Sequence, residues 1–98
     1  MMQHFNLDNY VVDVLMPDLV GHDRRPAAFI VYLYFLRHAA KGRDTLSVSL
    51  QTIATKTGLS KSTVQAALRH LRRRRLLDPA VAATVTDPVR RVLRPWNR

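Results

Sequence analysis

Cysteine is absent from the 98 residues. That excludes a disulfide framework and a thiolate metal site, and it fits a cytosolic address. Glutamate is absent as well, so all seven acidic residues are Asp. Glycine occurs only three times, and no Gly/Ser linker, repeat or low-complexity tract divides the chain. Long hydrophobic runs are also missing. The longest, Ala27 to Leu36, has ten residues, too few to span a bilayer. Met1-Met2-Gln3-His4 carries no basic region followed by an apolar stretch, so no secretory signal is expected. A chain of this length leaves no room for a buried substrate cavity with its own catalytic constellation. No phosphate loop, nucleophile elbow or zinc-ligand spacing occurs. The four histidines (His4, His22, His38, His70) are scattered, and the adjacency of His22 and Asp23 does not by itself position ligands. His38 and His70 read as partly exposed helix residues. The expectation is no enzyme, no metal, no cofactor, no effector pocket and no small-molecule substrate.

What is present is apolar content sufficient to fold, 47%, and a strong positive charge. Lys and Arg total 16, giving net +9. From residue 61 onward there are ten basic residues against two Asp; before it, six against five. Basicity gathered in the last two-fifths of a chain points to a polyanion, either nucleic acid or an acidic membrane surface. Thirteen of the 16 are Arg, whose planar fork grips phosphate and can pair with guanine twice. A GC-rich genome accounts for much of the preference for Arg over Lys, but not for the clustering.

Along the chain, residues 1–25 form an N-terminal segment distinct from a domain over 26–98. Tyr10 to Met16 reads either as a short strand or as part of a helix, and Pro17 and Gly21 are expected to break it. Pro26 can start a helix, since its missing N–H is not needed in the first turn. The run Ala27 to Ala40 reads as that helix, with Gly42 closing it. Phe29, Tyr32, Phe35 and Leu36 make one stripe, while Ile30, Leu33 and Tyr34 leave another side apolar. A helix apolar all round must be covered all round, either by the N-terminal segment or by a second subunit. Phe29, Tyr32 and Phe35 are therefore candidate dimer-interface residues. Leu46 to Val48 can form a minimal strand. Ser49 is a good N-cap for a helix over Leu50 to Thr57, and Gly58 suits a positive φ at its end. Ser60 caps a third helix from Lys61 to about Arg74, with Val64, Ala67, Leu68 and Leu71 on one face. Val81 to Val85 and Val89 to Leu93 can pair as a hairpin across Asp87-Pro88; a short helix after Pro88 is the competing reading.

The segment Leu50 to Leu71 resembles the helix-turn-helix of bacterial DNA-binding regulators. Ala54 lets the second helix press on the third, Gly58 makes the turn, and Val64 anchors the third helix. Leu50, Ile53, Leu59 and Leu68 complete the core. Thr57-Gly58-Leu59-Ser60-Lys61-Ser62-Thr63-Val64 is similar to the turn of winged-helix families such as the MarR and GntR regulators and plasmid replication initiators. Counting the preceding helix and the hairpin, the resemblance covers residues 26–96. It implies a mainly α, three-helix winged helix-turn-helix fold with a small β-hairpin wing. It also implies double-stranded DNA as partner, transcriptional regulation as function and a bacterial, nucleoid-associated location. One position departs from these families: Arg75 stands where they usually have Gly before the apolar pair Leu76-Leu77. A left-handed Arg costs about 1 kcal/mol.

A recognition helix buries one face and offers the other to the major groove. With Val64, Leu68 and Leu71 buried, Ser62, Gln65, Ala66 and Arg69 are the candidates for base contacts. Gln can pair with adenine, Arg with guanine, and Ala66 can touch a thymine methyl. Lys61, Thr63, Arg72 and Arg73 are better placed for phosphates, as are Ser49 and Thr52 at the start of the preceding helix. Arg72 to Arg75 cannot all face one way; about two of the four are expected at DNA. In winged-helix relatives the wing grips DNA, and Arg90, Arg91 and Arg94 resemble that role. One short recognition helix reads few base pairs, so a homodimer on a two-fold operator is expected. The alternatives are a protein-interaction or dimerisation module without specific DNA binding, and a replication or partition protein of a mobile element. Membrane-surface binding ranks lower because the motif assigns the apolar side of the third helix to the core. RNA binding ranks lower because no aromatic platform stands among the basic residues.

Overall fold

The same local device opens two of the helices. Ser49 sits in extended backbone and its hydroxyl accepts the Thr52 N–H at 3.1 Å. Ser60 does the same for Thr63 at 3.2 Å. Each satisfies an N–H that the helix itself leaves without a partner. The computed structural model describes residues 3–39, 45–78 and 89–96. In it helix α1 spans Pro26–Ala39, strand β1 Thr45–Ser47, helix α2 Leu50–Thr57, helix α3 Lys61–Arg73 and strand β2 Val89–Arg91. The expected bounds of α1, β1 and α3 hold to within a residue and those of α2 to the residue, while β2 stops at Arg91, two residues before the expected Leu93. The Gly42 cap and the Val81–Val85 strand lie outside the described residues.

β2 pairs antiparallel with β1, Leu46 opposite Arg90, and Leu77 bridges to Val92 on the strand's continuation. Residues 89–91 are thus extended, which removes the reading of a helix after Pro88. The architecture is helices with a small antiparallel sheet, consistent with a winged helix-turn-helix. α1 packs against α3, α2 and β1. One apolar cluster unites them, with Val31, Tyr32, Phe35, Ile53, Val64 and Leu71 completely buried.

Two expectations need correction. First, Pro17 and Gly21 break nothing. Val11–Leu15 and Pro17–His22 are successive wide-turned helical segments with i→i+5 hydrogen bonds, from the Met16 N–H to the Val11 carbonyl and from Asp23 to Asp18. Pro17 opens the second segment, where a missing N–H costs little. This run packs on α1 and buries Val11, Leu15 and Leu19, four residues apart. Second, Phe29, Tyr32 and Phe35 are not available as a dimer interface. They are 7%, 0% and 0% exposed within the single chain, because the N-terminal run and the other helices already cover them. What α1 leaves open is Ile30.

The junction after α3 explains Arg75. Its φ is +60°. The Leu76 N–H reaches the Leu71 carbonyl at 2.8 Å, and the Arg75 N–H reaches Arg72 at 3.0 Å. That is a Schellman cap with Arg in the left-handed position, and buried Leu71 and Leu76 supply its apolar contact. Replacing Arg75 by Gly should therefore stabilise the fold by about 1 kcal/mol. For a domain of this size that raises Tm by roughly 4–8 °C. A thermal melt checks it; a lowered Tm would mean that the arginine side chain contributes more than its backbone costs.

Candidate nucleic-acid interface

α2 and α3 meet at Gly58, whose φ of +81° turns the chain sharply while its N–H still bonds to Ala54 at 2.9 Å. The Thr57 hydroxyl donates back to the Ile53 carbonyl at 2.7 Å and accepts the Leu59 N–H at 3.4 Å, so the turn is held from both sides. Ala54 and Ile53 from α2 and Val64, Ala67, Leu68 and Leu71 from α3 are buried. Burial of that α3 face turns its opposite face outward.

Ser62, Gln65, Arg69 and Arg73 are exposed on that outward face, and Ala66 is half-buried beside them. Lys61 is exposed at the helix start, while Thr63 and Arg72 are half-buried. The hydroxyls at the two helix starts are already linked. Ser60 Oγ donates to Thr63 Oγ1 at 2.8 Å and lies 3.2 Å from Ser62 Oγ. Ser49 Oγ donates to Thr52 Oγ1 at 3.0 Å. Ser49 and Thr52 thus sit at the first turn of α2, and Ser62 and Thr63 at the first turn of α3, where backbone N–H groups and helix dipole favour an anion.

The wing arginines are not alike. Arg91 is exposed on the outer side of β2. Arg90 points inward: it is half-buried, and its Nη1 donates to the Val48 carbonyl at 3.1 Å. Burial, helped by the nearby Arg72 charge, lowers its pKa. Arg90 therefore ties β2 to the segment leading into α2, with Arg72 close by. Arg94 is half-buried and lines a cleft of about 160 Å³ with Asn6, Asp8, Val11 and Trp96. A cleft was not expected, though it is smaller than the ~300 Å³ at which drug-sized ligand pockets begin.

The C-terminal part of α3 holds what sequence reasoning missed. His70 is buried, not partly exposed. Its Nε2 lies 2.7 Å from Asp23 Oδ2. Arg74 Nε reaches the same carboxylate at 3.1 Å, and its Nη2 pairs with Asp18. His22 Nδ1 adds a contact to Asp23 at 2.9 Å. Burial raises the Asp23 pKa, but hydrogen bonds from His22 and His70 and the Arg74 charge outweigh it, so the net shift is downward. This cluster fastens the N-terminal run to α3. Helical spacing puts His70 and Arg74 on a flank away from Ser62, Gln65 and Arg69. Of the Arg72–Arg75 run, then, Arg74 is committed to internal ion pairs and Arg75 forms the cap, which leaves Arg72 and Arg73 as the DNA candidates. Asp18, His22 and Asp23 are close enough to share a metal ion, but His70 and Arg74 already occupy their carboxylates.

A short helix, a glycine turn and a second helix presenting a polar, basic face define the helix-turn-helix class. The comparison with known families agrees: the chain belongs to a helix-turn-helix domain family, whose family model matches residues 25–77. Comparison with curated proteins and with solved structures returns no significant match. Membership in this family supports DNA as the partner. Among the described residues, no helix is long and apolar enough to cross a membrane.

Proposed function

We propose that the protein binds duplex DNA sequence-specifically as a transcriptional regulator on the bacterial nucleoid, with α3 in the major groove. The observation that carries this is the outward face of α3, where Ser62, Gln65 and Arg69 stand exposed at helical spacing. Phosphate neutralisation supplies most of the affinity; these three side chains supply the preference among sequences. Lys61, Arg72 and Arg73 flank them as phosphate ligands, and Arg91 reaches the backbone from the wing. Arg90 and Arg94, turned inward, contribute field more than contact. Two copies on a two-fold operator give the contact length that one short helix lacks.

Selection from a random duplex library near physiological salt tests the reading. An enriched palindrome supports it. Retention without enrichment replaces it with a charge-driven architectural binder, and no retention leaves an interaction module. On an enriched site, Arg69→Ala is expected to cost about 1–3 kcal/mol and to relax one base pair. Arg91→Ala should weaken all sequences alike and reduce the salt slope. An unchanged preferred sequence and affinity in Arg69→Ala, measured by titration, would show the face assignment to be wrong.

A further inference from the structure

The N-terminal layer differs from the rest of the chain in both polarity and charge. All 16 Lys and Arg lie beyond residue 23, while residues 1–23 carry four Asp and neither Lys nor Arg. Three of those four are engaged internally: Asp8 accepts the Trp96 indole N–H at 3.1 Å, and Asp18 and Asp23 hold Arg74 and His70. Six of the eight exposed large apolar side chains among the described residues also lie here, between Phe5 and Val20. Val12, Met16 and Val20 are 42%, 39% and 38% exposed, four residues apart and so on one side of the helical run.

We propose that this strip is the surface on which two copies of the chain associate, packed antiparallel about a two-fold axis near the middle of Met16–Val20. Electrostatics selects this occupant. Two molecules of charge +9 repel each other, and the repulsion is least where the surface carries no Lys or Arg. Between Phe5 and Val20, DNA and acidic partners find no Lys or Arg; the first arginines, Arg24 and Arg25, stand only at the end of the strip. The ends of the strip carry opposite charge: exposed Asp13 lies before its middle, and exposed Arg24 and Arg25 lie beyond it at similar separation along the sequence. An antiparallel pair therefore sets Asp13 of each copy opposite the arginines of the other, as a two-fold contact requires. α3 keeps its outward face free, since the ion pairs from the run reach it at the His70 and Arg74 flank. The inference deepens the dimeric reading above and gives it a surface.

Sedimentation of the full chain, with and without an enriched duplex, tests it together with two variants. The wild type should sediment at twice the chain mass of 11.2 kDa. Met16→Asp should sediment at the single mass with an unchanged melting curve. Because the chain has no cysteine, Val20→Cys under mild oxidation should cross-link to a second copy. Gln51→Cys, exposed on α2, should not. If Met16→Asp fails to fold, the cross-linking pair decides alone. A wild type at the single mass in both conditions overturns the proposal. So does a folded Met16→Asp that still sediments as a dimer, or cross-linking at residue 51 in place of residue 20. A dimer that retains no DNA sinks the DNA reading and leaves this interface standing; a monomer that retains DNA does the reverse.

Discussion

Phe35→Ala is expected to remove most of the stability of this protein. Phe35 is fully buried at the centre of α1, in a cluster fed by α2, α3 and the N-terminal run. Truncating a buried Phe loses its transfer free energy and leaves a cavity, together about 3–5 kcal/mol. Domains of this kind have about 5–15 kcal/mol in total, and small ones sit toward the lower end. Denaturant unfolding should therefore show a midpoint far below that of the wild type. Ile30→Ser, on the open side of the same helix, should change stability by only about 0.5 kcal/mol. The contrast separates a core residue from an exposed one on the same helix. If Phe35→Ala kept its stability and lost only association, Phe35 would belong to a contact between subunits.

The second large effect is expected at Asp23. Its carboxylate receives His70, Arg74 and His22 from two directions, and its side chain is 9% exposed. Asp23→Ala leaves the buried His70 without its partner and frees Arg74 from one of its two carboxylates. The expected loss is about 1–3 kcal/mol, measured by denaturant unfolding at neutral pH. The dependence on acidity has a definite sign. The folded-state pKa lies below the unfolded one of about 3.9, so the ionised form is the one that stabilises. That contribution is complete above the unfolded pKa and is lost as pH falls through the folded value. The gap between wild type and Asp23→Ala should be steady down to about pH 4 and should close below it. A gap that stayed constant into strong acid would mean that Asp23 stabilises by packing and not by charge.

Legibility in the sequence followed the range of the interactions. Ser49, Gly58 and Ser60 act on neighbours within a few residues, and the α2–turn–α3 unit could be read from them almost residue by residue. The outward face of α3 was legible for the same reason, since helical spacing alone separates Gln65 from Val64 and Leu68. Arg75 was legible as a departure, and its left-handed backbone is the physical form that departure takes. The N-terminal run was not legible, because a wide-turned helix lacks the 3.6-residue period and Pro17 and Gly21 mimic a break. His70 was misread, and the ion pairs of Arg74 went unforeseen, because their partners lie 47 and 56 residues away. A weak signal did exist for His70: it stands between the buried positions Leu68 and Leu71, on the margin of the apolar face. Phe29, Tyr32 and Phe35 were offered as a dimer interface because nothing in the sequence chose between the N-terminal segment and a second subunit as their cover.

The chain has one tryptophan. Trp96 stacks on Tyr10 with ring centroids 4.7 Å apart and donates its indole N–H to Asp8. Its emission therefore reports on whether the two terminal segments are fastened together, and is blind to the turn of the recognition helix. Tyr32 links the same region to the core, its hydroxyl donating to the Leu93 carbonyl at 2.6 Å. An optical change at Trp96 when DNA is added would therefore report a change where the wing's end meets the N-terminal layer. The native molecule carries that probe without any label.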